Sequence, residues 1–287
     1  MSRLLTAMVA LPILILSIVL PYFLPNRAEA EWLFLLIAAL GLGAALFEFF
    51  TMTKKLELKA DAAIAYLGAA AFFVAFLFDA PAKAPDLLLL TLAFFLILVL
   101  ITQTFRFQKD FTKMLTGIGV TVLGVLYIAF LGGFLVATRV GFETTGVPFL
   151  STKLLAFFFL VAFGADAGAY YTGKYLGKHK LIPKVSPNKT WEGAIGGLIL
   201  SVAFAALATF LFFPELPFKA SIPLAVAITV IGILGDLAES AMKRGAGVKD
   251  TASILPGHGG LLDRLDSLLF GAPILYYFAR FYFYSVL

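Results

Sequence analysis

Apolar residues run almost unbroken along this chain, in stretches of about 20 separated by short polar segments. Nine such stretches can be drawn, at about 4–24, 32–50, 60–78, 86–104, 111–136, 151–171, 191–213, 218–239 and 266–287. A helix of about 20 residues rises far enough to cross the roughly 30 Å hydrocarbon core of a bilayer. The pattern therefore predicts an all-α fold, a polytopic helical integral membrane protein with about nine transmembrane helices. The fifth stretch has length to spare for tilting. Small residues in AALGLGAAL at 38–46 and YLGAAAFF at 66–73 predict close helix packing.

Polar residues are unevenly divided. The first four stretches carry almost no internal charge. Glu48 is the exception, and its place near the end of the second stretch suggests an interfacial role, paired with Lys54 or Lys55. Residues 1–136 are accordingly read as helices for packing, lipid access or dimerisation. Residues 137–287 are read as the catalytic region, with polar loops at 172–190 and 240–265.

Composition sharpens this. The 287 residues are 61% hydrophobic and 14% charged, with 31 Phe, which lies outside the range of soluble globular domains. The first apolar run follows Arg3 but lacks a small-residue cleavage site and precedes further spans, so it reads as a span rather than a signal peptide. Cysteine is absent, which excludes disulfides and thiolate chemistry, and two histidines argue against a multi-histidine zinc site. The net charge of +5 reflects the positive-inside bias of membrane proteins rather than nucleic-acid binding. With the N-terminus inside, most of the 22 Lys and Arg fall on inside segments. That puts both long polar loops in the cytoplasm.

The chemistry concentrates in 235–270, GDLAESAMKRGAGVKDTASILPGHGGLLDRLDSLLF. Charge between membrane-type helices is costly unless it faces water, protein or an ion. A basic cytoplasmic loop accounts for Lys243, Arg244 and Lys249, but not for acids set against the helix ends. Asp236, Glu239 and Lys243 share a helical face at i, i+3 and i+7. Asp263 and Asp266 are i, i+3 neighbours. Between Lys243 and Asp263, PGHGG, with His258, breaks the helix and turns Asp263 and Arg264 back. Asp236 and Asp263 can then converge on Mg²⁺, which prefers carboxylate, water and phosphate oxygens.

Upstream, Asp166 lies in an apolar helix with Tyr170 one turn later. Ser186, Asn188, Lys189 and Thr190 precede the next helix. Thr190 is placed to cap it, with Glu192 in the first turn, and the free N–H groups there suit a phosphate. Metal, basic groups and phosphate sites together point to phosphoryl or nucleotidyl transfer.

The run Ser240-Ala-Met-Lys-Arg, Lys249-Asp250 and Pro256-Gly-His-Gly-Gly-Leu-Leu-Asp263-Arg264-Leu-Asp266 closely resembles the signature of the phosphatidate cytidylyltransferase (CDP-diacylglycerol synthase) family. Ser186–Gly193 and Asp166…Tyr170…Gly173 are also similar to that family. The resemblance covers roughly residues 160–270. It implies transfer of the cytidylyl group of CTP to phosphatidate, giving CDP-diacylglycerol and pyrophosphate. It implies Mg²⁺, with K⁺ as a second candidate ion, and a homodimer in the inner (plasma) membrane with its site open to the cytoplasm and to membrane lipid. Carried over by motif, Asp236 and Asp263 are the metal-binding acids. Lys243, Arg244, Asp250, His258 and Arg264 complete the catalytic set. Asp166, Tyr170, Ser186, Lys189, Thr190, Glu192, Glu239 and Asp266 line the ligand site. Alternatives are a CTP-dependent cytidylyltransferase or kinase acting on another lipid, and an ion-coupled transporter.

Overall fold

The structure is a computed structural model that describes residues 2–24, 27–106, 111–142, 146–252 and 259–284. It is helical almost throughout. In chain order the helices are α1 (Ser2–Val19), α2 (Arg27–Lys54), α3 (Ala62–Leu77), the short α4 (Ala80–Lys83), α5 (Pro85–Arg106), α6 (Met114–Gly124), α7 (Leu131–Gly141), α8 (Leu150–Leu176), α9 (Trp191–Leu211), α10 (Phe218–Gly245) and α11 (Leu262–Tyr284). A π-helical segment, Val125–Phe130, joins α6 to α7 without a break.

Six helices among the described residues are long and apolar enough to cross a membrane, which corrects the expectation of about nine. Three of the expected spans fall short, each for a local reason. In the first, α1 ends at Val19 after 18 residues and gives way to a 3-10 turn, Leu20–Tyr22. The third is limited to 16 residues, because Asp61 caps α3 at its start and the helix stops at Leu77. At 1.5 Å per residue that is roughly 24 Å, less than the hydrocarbon core. The last, α11, is long but opens on Asp263, Arg264 and Asp266 and carries Arg280 just before its final Phe/Tyr turn. It lies inside the bundle, packed against α10, α7, α2 and α8. Its Leu269, Ala272, Leu275, Tyr276 and Ala279 are fully buried.

The tightest helix contact is between α8 and α9. It is made of glycines: a Cβ on Gly168 would lie 2.5 Å from the Gly196 carbonyl oxygen, and one on Gly197 would lie 2.7 Å from that of Ala165. Such backbone-to-backbone approach is how helices associate where lipid removes the hydrophobic drive between them.

The connection between α8 and α9 is not an open loop. Lys180–Ile182 (β1) and Ser186–Thr190 (β2) pair antiparallel, with Lys180 opposite Thr190 and Ile182 opposite Ser186. Pro183 sits in the turn, which closes through Val185 N–H to the Ile182 carbonyl at 3.1 Å. Arg244 of α10 pins this turn, donating from Nε to the Val185 carbonyl at 3.1 Å.

Candidate active site

The hairpin, α8, α9 and α10 enclose a cavity of about 730 Å³. Asp166, Tyr170 and Lys174 line it from α8, Asn188, Lys189 and Thr190 from β2, and Asp236 from α10. Glycines on facing helices (Gly173, Gly193, Gly197, Gly232) also line it. Its deeper wall is apolar, with Ala162, Ile228 and Ile233.

The N-terminus of α9 opens on this space. Thr190 caps it, its Oγ1 accepting the Gly193 N–H at 3.1 Å, as its sequence position suggests. Glu192 in the first turn faces back to the chain before β1. It accepts the Lys178 N–H at 3.1 Å and pairs with His179 Nδ1 at 2.6 Å. Lys189 Nζ is 2.5 Å from Asp236 Oδ2, so the hairpin and α10 meet through opposite charges at the cavity wall. Asp166 lies within the electrostatic reach of Asp236, Arg264 and Lys189.

Behind Asp236, one carboxylate oxygen each of Asp236, Glu239 and Asp266 lies within 4.8 Å of the other two. Glu239 is fully buried and Asp266 nearly so. Glu239 Oε1 receives no hydrogen bond from the described residues. Three carboxylates this close repel unless a cation or protons offset them. Lysines do part of that work. Lys243 Nζ is 2.5 Å from Glu239 Oε2 and 2.7 Å from Asp263 Oδ1, and is itself largely buried. An all-oxygen donor set with an undonated buried oxygen suits a hard divalent cation such as Mg²⁺.

Asp263 is not part of that trio. Its Oδ1 accepts from Lys243, and its Oδ2 accepts the Gly260 N–H at 2.7 Å and the Thr251 N–H at 3.2 Å. Asp263 thus folds the loop between α10 and α11 onto the start of α11. Arg244 is directed at main-chain carbonyls, those of Val185 and Val248. Asp250 is exposed near Gly259, which has a left-handed φ of +79°. Ser186 sits at the far end of β2, away from the cavity-lining residues. Tyr170 is exposed at the cavity mouth with Lys174 Nζ 5.7 Å from its ring centre. His258 lies outside the described residues.

Sequence reasoning underrated one residue. Glu48 is not an interfacial partner of Lys54 or Lys55. It is fully buried and reaches from α2 to the start of α11. Its Oε1 accepts the Leu261 N–H at 2.8 Å, and its Oε2 accepts the Leu262 N–H at 2.8 Å and the Thr251 hydroxyl at 3.0 Å. A carboxylate there satisfies free N–H groups at a helix start and meets the positive end of its dipole. Glu48 stood alone in an apolar run, and that was the signal available.

A sequence model described as the cytidylyltransferase family matches residues 1–282. The chain is similar to phosphatidate cytidylyltransferase of Bacillus subtilis, 35% identical over 248 residues, covering 85% of this chain and 87% of that protein. It is similar to the Haemophilus influenzae protein of the same description, 45% identical over 143 residues, covering 48% of each chain. The Staphylococcus haemolyticus protein of that description is 52% identical over 121 residues, covering 41% of this chain and 45% of its own.

Proposed function

This chain belongs to the cytidylyltransferase family, and we propose that it transfers the cytidylyl group of CTP to phosphatidate, forming CDP-diacylglycerol and releasing pyrophosphate. The observation that carries this reading is the single cavity in which Lys189, the capped start of α9 and Asp236 meet in front of the acidic trio. A phosphate-binding helix end and a carboxylate cluster share one space, and the apolar deeper wall suits a lipid.

In this reading a phosphatidate phosphate oxygen forms a bond to the α-phosphorus of CTP, and the bond to the departing pyrophosphate breaks. A phosphate monoester is largely ionised near neutrality, so no side chain is assigned as general base. Asp236, Glu239 and Asp266 would hold Mg²⁺. When bound, that ion neutralises phosphate charge and orients the reacting groups. Lys189 and Arg264 offset the charge of the phosphates, and the N–H groups of α9 bind phosphate oxygens. Lys243 bridges Glu239 and Asp263, and so ties the acidic trio to the loop that precedes α11. Tyr170, Lys174 and Asn188 line the mouth by which the nucleotide enters.

The ends of α2, α8 and α10 meet the starts of α9 and α11 at one end of the bundle, which is rich in Lys and Arg. The positive-inside rule supports a cytoplasmic placement of that end in a bacterial inner membrane. The division of labour at residue 136 is part of the proposal, amended by Glu48, which brings the N-terminal region into the site. A homodimer and a K⁺ ion rest on the family resemblance alone.

The test is turnover by the full-length protein in detergent with CTP, Mg²⁺ and phosphatidate. Pyrophosphate and a CDP-lipid are expected in equal amounts. CDP together with a phosphorylated lipid would overturn the reading in favour of a kinase, as would no turnover beside an active phosphatidate cytidylyltransferase.

A further inference from the structure

The acidic trio has a neighbour whose chemistry the reaction above leaves unused. Tyr127 sits in the π-helical segment between α6 and α7. Its side chain is 5% exposed, and its hydroxyl is buried without a hydrogen-bond partner among the described residues. A buried phenol without a partner is costly, and buried tyrosines usually find one. The ring is held from two sides, by Phe49 at 6.5 Å between centres and by Phe270 at 6.0 Å. Phe270 follows Asp266 by one turn of α11. The phenol lies within electrostatic reach of Asp266, Glu239, Asp236 and Asp263, with Asp266 acting most strongly. Two independent features therefore coincide beside the carboxylates. One is an unpartnered, clamped hydroxyl; the other is a π turn, a rare helical form found frequently at functional sites.

We propose that Tyr127 is a positioning residue of the acidic site, its hydroxyl oxygen accepting a hydrogen bond from a water of hydration of the divalent cation that Asp236, Glu239 and Asp266 would hold. The proposal rests on the cation reading given above. Mg²⁺ dehydrates reluctantly and keeps several waters, so a fixed donor or acceptor beside its ligands finds a water to bind. Groups that orient the shell around a metal in this way alter affinity by about 10–100-fold when removed. The π turn sets the Tyr127 ring between Phe49 and Phe270, and the clamp fixes the direction of the hydroxyl in advance.

The experiment uses the full-length protein in detergent, with Mn²⁺ as a spectroscopic probe and Mg²⁺ in the turnover assay. Tyr127→Phe keeps the ring and both aromatic contacts. Its expected effect is weaker Mn²⁺ binding by electron paramagnetic resonance, by about ten-fold, with a matching rise in half-saturating Mg²⁺. At saturating Mg²⁺, KM for phosphatidate should stay unchanged. Tyr276→Phe is the matched control. That buried hydroxyl is bonded to Asp79, so its loss should lower thermal stability without moving the Mg²⁺ dependence. Unchanged Mn²⁺ and Mg²⁺ dependence in Tyr127→Phe, with a wild-type protein that binds Mn²⁺, overturns the role of Tyr127 and leaves the cation reading standing. A wild-type protein that binds no Mn²⁺ and turns over without Mg²⁺ overturns both.

Discussion

Glu48 and Leu262 lie more than two hundred positions apart, yet the Glu48 carboxylate accepts the Leu262 N–H at 2.8 Å at the start of α11. The same carboxylate binds the Leu261 N–H and the Thr251 hydroxyl, so one acid from α2 fixes the last turn of the loop before Asp263 and Arg264. Replacing Glu48 by Ala leaves the Leu261 and Leu262 N–H groups without their acceptor, while the Thr251 hydroxyl retains Asp263 Oδ2 at 3.2 Å. A loss of about 2–4 kcal/mol of stability is expected. Glu48→Gln, which still offers one acceptor oxygen, should recover part of it. Thermal unfolding in detergent checks the ranking wild type, Gln, Ala. At temperatures where all three are folded, kcat should follow the same order.

Gly260 is enclosed by that interaction. A Cβ there would collide with Thr251 Oγ1 and Glu48 Oε2. Gly260→Ala should therefore break the same contacts from the other side. Combined with Glu48→Ala it should cost clearly less than the sum of the two, because both changes act on one network. A double-mutant cycle of thermal stability measures this. Strict additivity would show that Glu48 and Gly260 act separately.

Lys243 is the shared cation of Glu239 and Asp263. Its removal as Lys243→Met strands a fully buried Glu239 carboxylate. Breaking one partner of a buried ion pair costs about 3–5 kcal/mol. The double change Lys243→Met with Glu239→Leu should recover much of that stability but no turnover, if Glu239 holds the cation. Stability and pyrophosphate release measured on the same preparations separate the two effects.

Mg²⁺ that binds the folded trio and not the unfolded chain must stabilise the fold. At 100 times its dissociation constant the gain is about 2.7 kcal/mol. Mg²⁺ should raise the unfolding temperature of the wild type. Asp236→Asn should abolish that rise while changing stability in a chelator little, since relief of repulsion within the trio offsets the loss of the Lys189 pair. An equal Mg²⁺ response in Asp236→Asn would place the ion elsewhere.

Asp79 lies outside the long spans, at the start of α4, and is almost wholly buried. Burial pushes its carboxyl above the usual carboxylate range, against the opposing pull of the Tyr276 hydroxyl bond at 2.5 Å and of Lys83. A carboxyl raised on folding contributes stability below its unfolded value. That contribution is lost as pH rises through the folded one. Asp79→Asn keeps an acceptor for Tyr276 and carries no charge. It should flatten the fall in stability on raising pH from the ordinary carboxylate range, as thermal scans in a pH series would record.

Much of the site could be read from local spacing. The i, i+3, i+7 face of Asp236, Glu239 and Lys243 is seen in the Glu239–Lys243 pair, and Thr190 caps α9. Both depend only on helix geometry over a few residues. The hairpin at 180–190 was read as a loop, because two short strands with Pro183 and Pro187 present no alternation of apolar and polar positions. The count of long apolar helices failed at α1, α3 and α11. Hydropathy registers an apolar run, but the capping of α3 by Asp61 and the enclosure of α11 by four other helices are set by structure.

The sequence by itself determined a helical membrane-type chain, the family signature and the residues that carry charge. These follow from composition and from spacing along a single helix. Tertiary structure decided how the charges are shared. Asp263 turns to Lys243 and Gly260, while Asp266 joins Asp236 and Glu239. It also brought Glu48 and Tyr127 to the site from the N-terminal half. A buried carboxylate or phenol must find its partner wherever the packed helices place one, and that distance in space is not written in the distance along the chain.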